Sequence, residues 1–214
     1  MLFPPGKSRG PSRGRVVTPE AFRRCLGLIE PDGWNAVSTA DPGDRPLTPA
    51  AVLIPLVTHD NGLAAILTQR AAHLNDHAGQ VSFPGGRFEP HDDGPVATAL
   101  REAHEEIGLA PEDVEIIGCL DAQDTSTGFS VVPVVGLIDP VYSLTLDSFE
   151  VDEAFEVPLA FLFDKRNKRR EEMYWRGRQR VYDVYDDYQG HKIWGVTARI
   201  IGSLQEAMEA VPES

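Results

Sequence analysis

Cysteine, basic residues and long apolar runs are all scarce in this 214-residue chain. Its two cysteines, Cys25 and Cys119, supply no disulfide framework, so a reducing compartment, the cytoplasm, is expected. Lys and Arg total 20 against 33 Asp and Glu, and the formal charge of −13 argues against a nucleic-acid partner, which needs a basic surface. No stretch approaches the roughly 20 apolar residues of a membrane span, so no membrane partner is expected either.

The N-terminal stretch differs in composition from the rest. Residues 1–17 are rich in Gly, Pro, Ser and Arg and contain no acid, which predicts a flexible basic arm. Such an arm either tethers an anionic surface or is simply solvated. Residues 18–214 are expected to form a single domain, in which a helix begins at Thr18 and ends before Pro31 and a Pro- and Gly-rich loop continues to residue 49.

Apolar runs separated by turn residues predict strands in the central part of the domain. A meander of further strands is predicted after them, and its many aromatic residues either line a pocket or belong to the core. Mixed strands with few, separated helices favour an α/β or α+β layered sandwich. The predicted strands are residues 50–57, 63–70, 115–122 and 131–138, followed by a three-stranded meander over 172–194 and a closing helix over 196–211.

A helix is also predicted from Pro95 to Ile107, with Gly108 as its C-cap. At 100° per residue, its apolar side chains form one stripe that faces the core. The stripe consists of Val96, Ala99, Leu100, Ala103 and Ile107.

Three carboxylates lie on the far side of this helix, at Glu102, Glu105 and Glu106. Like charges one turn apart destabilise a helix. Arg101 can pair with Glu105, but no other residue of the helix neutralises Glu102 and Glu106. A divalent cation would do so, because Mg²⁺ prefers carboxylate oxygens and shares its shell with substrate phosphates. The alternative is an acidic surface that is merely solvated.

Two glycines, Gly85 and Gly86, precede the helix and either allow a ligand to approach the backbone or mark a turn. Arg70 and Arg87 flank them and are candidate contacts for an anionic substrate, or surface residues. Together the loop and the acidic helix predict a site that holds a metal ion against a phosphate. Such a site suits hydrolysis of a phosphoanhydride, whose charge must be neutralised before water can attack.

Residues 101–109, REAHEEIGL, resemble the second half of the Nudix box, G-x5-E-x7-R-E-U-x-E-E-x-G-U, where U is aliphatic. From Gly86 to Arg101 the chain is one residue longer than this pattern, and Asp92 or Asp93 stands for its internal glutamate. The coenzyme A pyrophosphatase branch of Nudix hydrolases has the same expansion. Residues 66–86, ILTQRAAHLNDHAGQVSFPGG, are similar to the motif that precedes the box in that branch. The resemblance extends over about residues 50–200, with the box at 86–109.

This resemblance implies an α/β/α sandwich around a central mixed sheet. It also implies dependence on Mg²⁺ or Mn²⁺ and a small-molecule substrate, CoA, which is cleaved into 4′-phosphopantetheine and adenosine 3′,5′-bisphosphate. By position, Glu102, Glu105, Glu106 and the Gly86 carbonyl match metal ligands, and Arg101 matches the residue that orients the glutamates. Family analogy also suggests a homodimer.

Nudix enzymes differ in their general base, which is a box glutamate such as Glu105 or a carboxylate from a distant loop. Glu150 is the first choice for the distant case, although its segment also resembles a solvated helix start. The other candidates there are Asp152, Glu153 and Glu156. The residues expected to contact substrate or orient the loop are Arg70, His77, Gly85, Gly86 and Arg87.

Two other functions are compatible with these motifs. The domain could hydrolyse another nucleoside diphosphate linked to X, such as a dinucleotide or a nucleotide sugar. It could also bind a phosphorylated ligand without cleaving it, although the intact Arg-Glu-x-x-Glu-Glu set argues against a purely binding role.

Overall fold

The computed structural model describes residues 18–26, 46–74, 78–175 and 178–210. The predicted arm at 1–17, most of the predicted loop before residue 46, and His77 lie outside these residues. No helix in the described part of the chain is long and apolar enough to cross a membrane.

Four α-helices and ten β-strands are described, with short 3₁₀ turns at Pro111–Asp113 and Lys165–Asn167. The helices are α1 (Pro19–Cys25), α2 (Gly94–Ile107), α3 (Leu159–Leu162) and α4 (Gly195–Glu209). The strands are β1 (Thr48–His59), β2 (Gly62–Arg70), β3 (Val81–Ser82), β4 (Gly85–Arg87), β5 (Val114–Cys119), β6 (Gln123–Asp124), β7 (Phe129–Ile138), β8 (Val151–Pro158), β9 (Lys168–Trp175) and β10 (Arg178–Tyr185).

Strands β1–β8 form one mixed sheet organised around β1. β1 pairs in parallel with β7 from Thr48 to Val57, and its last residues, Leu56–His59, pair antiparallel with β2. β5 and β6 both pair with the other edge of β7, and β8 pairs with the outer edge of β2. β9 and β10 form a separate two-stranded hairpin.

β1 and β2 diverge beyond their short ladder, and the segment 81–87 fills the resulting fork. β3 pairs with Thr68 and Gln69 of β2, whereas β4 pairs with residues 50–52 of β1, on the edge opposite β7. The Leu53 N–H donates to the Pro84 carbonyl at 2.9 Å between the two pairings. The predicted glycine pair is therefore held inside the sheet, on the last strand before α2.

Helices cover both faces of the sheet, as the α/β/α prediction requires. α2 covers one face through Ala99, Ala103 and Ile107, with Val96 and Leu100 partly buried beside them, so the predicted apolar stripe is confirmed. α1, α3 and α4 cover the other face, where their apolar side chains share one core cluster with residues of β1, β2 and β7. Among these are Phe22, Leu159, Leu162, Ile201 and Leu204.

The predicted ends of two helices are confirmed. Thr18 caps α1 by accepting the Ala21 N–H at 3.3 Å, and Gly108 ends α2 in the left-handed conformation with φ 68°. One other prediction is wrong, and one of the alternatives left open is excluded. The third meander strand is replaced by isolated bridges, Val184–Trp194 and Tyr188–His191. The segment after Glu150 is not a helix start but edge strand β8.

Candidate active site

The two glycines of β4 bring backbone against the carboxylates of α2. Gly85 has φ +156° and donates its N–H to Glu106 Oε2 at 3.1 Å. A Cβ at Gly86 would lie 2.5 Å from both carboxylate oxygens of Glu102. No other residue type fits there without displacing Glu102, so the pair acts as a close-approach site and not merely as a turn.

Glu106 is buried, with only 4% of its side chain exposed. Besides Gly85, its partner is the Arg70 guanidinium, whose Nη1 lies 3.5 Å from Oε1. Burial raises the pKa of the Glu106 carboxyl to about 8, and the negative charges of Glu102 and Glu150 act in the same direction. Arg70 and Gly85 oppose this shift but do not cancel it, so the site has a deficit of positive charge.

Arg101 connects the acidic helix to the loop before it. Its Nη1 donates to Glu102 Oε1 at 2.9 Å and to Glu105 Oε2 at 3.0 Å, which confirms the predicted pairing with Glu105. Its Nε and Nη2 donate to the two oxygens of Asp92, both at 2.9 Å. Nη2 also donates to the Arg87 carbonyl at 2.9 Å. One side chain therefore fixes the loop and two of the three glutamates.

Asp92, and not Asp93, holds the internal acidic position that the sequence left open between them. Its side chain is 2% exposed and also accepts the Glu89 N–H and the Thr98 hydroxyl, both at 2.9 Å. Hydrogen bonds from Arg101 hold the pKa of the Asp92 carboxyl well below its usual range. Asp93 is exposed and makes no capping hydrogen bond through its side chain.

Residues 139–150 form a strap across the C-terminal end of α2. The Thr145 N–H donates to the Ile107 carbonyl and the Asp147 N–H to the Glu106 carbonyl, each at 2.9 Å. These bonds satisfy two of the carbonyls that a helix end leaves without partners. The strap ends at Glu150, whose carbonyl accepts the Ala71 N–H at 2.9 Å.

Glu150 is the distant carboxylate that the fold brings to the α2 glutamates. Its charge acts to raise the pKa of both Glu102 and Glu106. The three other candidates have different partners, which lie on separate elements. Asp152 accepts the Ala72 N–H at 3.0 Å, Glu153 lies 3.6 Å from His191, and Glu156 contacts His59 and the Tyr142 hydroxyl, each at 2.5 Å.

The remaining predicted residues occupy different parts of the site. Glu105 is 58% exposed and its carboxylate contacts Arg101, so it lies at the rim, whereas Glu106 lies inside. Arg70 contacts Glu106 directly, which makes it a partner of the helix as well as a candidate substrate contact. The Arg87 side chain is exposed and its guanidinium lies 5.2 Å from the centre of the Phe129 ring.

The donors at this site fit a hard divalent cation. Within the described ranges, no three Asp, Glu, His or Cys side chains are grouped as a complete metal site. Mg²⁺ does not need one, since it commonly binds one or two carboxylates and completes its octahedron with waters and substrate phosphates. Glu102 and Glu106 offer two carboxylates beside the backbone of Gly85 and Gly86, and a cation there would relieve the charge that burial leaves uncompensated.

A glycine-bearing fork in a mixed sheet, followed by an acidic helix fixed by one arginine, defines a hydrolase of the Nudix type. The NUDIX domain family model matches residues 47–175, and the chain belongs to this family. It is therefore a Nudix hydrolase of pyrophosphate bonds, an enzyme class that generally uses divalent metal ions such as Mg²⁺ or Mn²⁺.

Two relatives carry the name "Uncharacterized Nudix hydrolase NudL". The protein from Photorhabdus laumondii is 42% identical over 161 residues, which cover 75% of this chain and 84% of the relative. The protein from Salmonella paratyphi B is 45% identical over 157 residues, covering 72% and 80%. Among solved structures, the Nudix hydrolase RenU of M. smegmatis aligns with a TM-score of 0.53 at 19% identity, over 78% of this chain and 89% of that one. This last likeness concerns the fold alone.

Sequence reasoning missed two features of the site. The burial of Glu106 was not foreseen, because the helical projection placed it opposite the core. The strap was not foreseen either, because residues 139–150 have no regular secondary structure beyond turns. An available signal was the alternation of Tyr142, Leu144 and Leu146, which pack partly buried against the α2 face.

Proposed function

We propose that this Nudix hydrolase cleaves the diphosphate bond of coenzyme A or acyl-CoA. The products are 4′-phosphopantetheine, or its acyl form, and adenosine 3′,5′-bisphosphate, and the reaction requires Mg²⁺ or Mn²⁺. The observation that carries the proposal is the nearly unbroken similarity of residues 67–109 to the CoA pyrophosphatase motifs. The one-residue expansion between Gly86 and Arg101 supports it, because that branch has the same expansion.

Glu102 and Glu106 are the proposed metal ligands, with the Gly86 carbonyl and Glu105 completing the protein's share. When bound, the cation neutralises diphosphate charge and lowers the pKa of a coordinated water. Arg101 positions Glu102 and Glu105 through its hydrogen bonds. Arg70 and Arg87 bracket the glycine loop and provide positive charge for the substrate in a protein that is otherwise strongly acidic.

Glu150 is the proposed general base. It takes a proton from the attacking water as the water oxygen forms a bond to one phosphorus. The bond from that phosphorus to the bridging oxygen breaks, and the second phosphate leaves with the electron pair. The strap holds Glu150 beside the α2 glutamates. Its carboxylate is not one of the hydrogen-bond acceptors of Arg101, so it is available to accept the proton.

The decisive experiment is a substrate panel assayed with Mg²⁺ and with Mn²⁺. It compares kcat/KM for CoA, acetyl-CoA, a dinucleoside polyphosphate and a nucleotide sugar, with products identified by mass spectrometry. CoA or acetyl-CoA should have the highest kcat/KM. Preference for another member would reassign the substrate, and a folded protein that turns over none of them would overturn the proposal.

A matched variant separates an enzyme from a binding module. Glu106→Gln keeps an acceptor for the Gly85 N–H but removes the charge at the proposed metal position. An enzyme should lose most of its rate while remaining folded. A binding module would have no rate to lose.

A further inference from the structure

An aromatic ring is exposed beside the carboxylates and takes no part in the chemistry above. Phe149 directly precedes Glu150 and is 67% exposed. Single exposed apolar side chains are common on protein surfaces. The position of Phe149 next to the proposed general base is what makes it a candidate contact for an aromatic part of a ligand.

The ring is held in place and is not a loose surface side chain. The Phe149 N–H donates to Asp147 Oδ1 at 2.9 Å, and Asp147 is itself tied to the end of α2. His73 makes a T-shaped contact with the ring, with centroids 5.0 Å apart and planes at 62°. A single T-shaped contact covers at most one face of the Phe149 ring, so at least one face remains available to a third ring.

The segments that carry the two rings are joined at the site itself. Ala71 donates its N–H to the Glu150 carbonyl at 2.9 Å. Ala71 lies two residues before His73, and Glu150 directly follows Phe149. Arg70, adjacent to Ala71, contacts Glu106. The ring pair therefore borders the place where the diphosphate is proposed to bind.

We propose that Phe149, supported by His73, is a stacking platform for the nucleobase of the substrate. This inference rests on the proposed function, since a nucleoside diphosphate carries its base within one sugar of the phosphates. Stacking suits this position because the surrounding carboxylates repel further phosphates but not a neutral base, and because every base presents a π-face to an aromatic ring. The platform would select nucleotides over diphosphates without a base.

The test uses two probes that differ only in the base, adenosine 5′-monophosphate and ribose 5-phosphate. Each is titrated into the full chain with Mg²⁺ by calorimetry or NMR. Neither probe contains a diphosphate bond, so the result does not depend on turnover and is distinct from a failure of the proposed reaction. Phe149→Ala should weaken binding of the nucleotide about 5- to 100-fold and leave ribose 5-phosphate unchanged.

Three further variants identify the interaction. Phe149→Trp should retain nucleotide binding, whereas Phe149→Leu should resemble the alanine variant, because leucine keeps apolar bulk but has no π-face. Tyr174→Ala, which removes another exposed aromatic residue (76% exposed, on β9), is the matched control and should bind both probes normally. With an active substrate, Phe149→Ala should raise KM and leave kcat nearly unchanged.

Several results would overturn the platform. One is a Phe149→Ala protein that binds the nucleotide normally, and another is equal weakening of both probes, which would indicate displacement of the strap. A Phe149→Leu protein that binds the nucleotide as well as wild type does would indicate an apolar contact without stacking. A wild-type chain that binds the nucleotide no better than ribose 5-phosphate would also exclude the proposal.

Discussion

Arg101 holds Asp92 through two parallel hydrogen bonds, Nε to Oδ1 and Nη2 to Oδ2, both 2.9 Å long. Its remaining contacts reach Glu102, Glu105 and the Arg87 carbonyl, so one planar group connects the acidic turn, the glycine loop and two proposed metal ligands. Only a fork of five fixed donors can make this set of bonds. The helix carboxylates therefore owe their positions to a contact made outside the helix.

Lysine at position 101 should retain the charge and lose most of the activity. Its ammonium has three donors on one nitrogen, so it cannot reproduce the five hydrogen bonds that the guanidinium makes. We expect Arg101→Lys to reduce kcat/KM and Mn²⁺ affinity about 10- to 100-fold, as for other residues that orient metal ligands. Kinetics and metal titration check this, and near-normal values for both would contradict the orienting role.

Asp92→Asn should destabilise the protein by about 2 kcal/mol, because it removes charge from a buried, paired carboxylate. The low pKa of folded Asp92 means that this stability is present above the ordinary Asp pKa and is lost as pH falls toward the folded pKa. The difference in the free energy of unfolding between wild type and variant should therefore shrink below about pH 4. Urea unfolding at pH 7 and pH 3.5 measures it, and Asp93→Asn, at the exposed neighbour, should change neither value.

Glu106 should have the opposite pH dependence in the metal-free protein. Its folded pKa of about 8 lies above the unfolded value, so the folded state binds the extra proton and stability from this group falls as pH rises between these values. In EDTA, Glu106→Gln should therefore stabilise the protein at pH 8, by an amount on the order of 2 kcal/mol, and have little effect at pH 5.

Mg²⁺ should make wild type more stable than Glu106→Gln at pH 8, since a cation beside Glu106 stabilises its charged form. Thermal unfolding at pH 8 should show wild type stabilised by Mg²⁺ and Glu106→Gln much less so. Equal stabilisation of the two proteins would place the cation elsewhere.

The acidic helix was predictable because its evidence is local. The 3.6-residue spacing of Ala99, Ala103 and Ile107 fixes the buried face, and Gly108 fixes the end. The burial of Glu106 was not predictable in this way. Its neighbours Arg70 and Gly85 come from β2 and β4, and a helical projection contains no information about elements that pack on the flank of the apolar stripe.

Strand β8 was missed for a related reason. It pairs with β2 along one edge, and its pattern, VDEAFEVP, carries acids that an edge strand can expose. The acidic side chains that keep such an edge from pairing with another chain also interrupt the apolar alternation by which strands are recognised in a sequence. The choice between Asp92 and Asp93 likewise depends on the path of one turn, which adjacent identical residues do not reveal.

Alanine at the two glycines should have different consequences. At Gly86 a methyl group meets the Glu102 carboxylate, a flexible side chain, so the fold should survive while metal affinity and kcat/KM fall about 10- to 100-fold. At Gly85 it would lie 2.5 Å from the Val52 Cα, and the φ of +156° is itself unfavourable for alanine. Gly85→Ala should therefore lower the unfolding temperature markedly. If both variants had the same melting and kinetic behaviour, the assignment of Gly86 to the metal site would be wrong.

Glu150→Gln should abolish most turnover while leaving metal binding and stability nearly intact. The strap fixes this residue through its backbone, by the bond from Ala71 to the Glu150 carbonyl, so an amide side chain leaves that support unchanged. Loss of a general base typically reduces the rate about 10²- to 10⁴-fold, and the loss should appear in kcat more than in KM. Glu153→Gln, three residues along and facing His191, is the matched control and should retain full activity. A Glu150→Gln enzyme with wild-type kcat would move the base to Glu105 or to another carboxylate of the box. An equal loss in the control would contradict a specific role of Glu150.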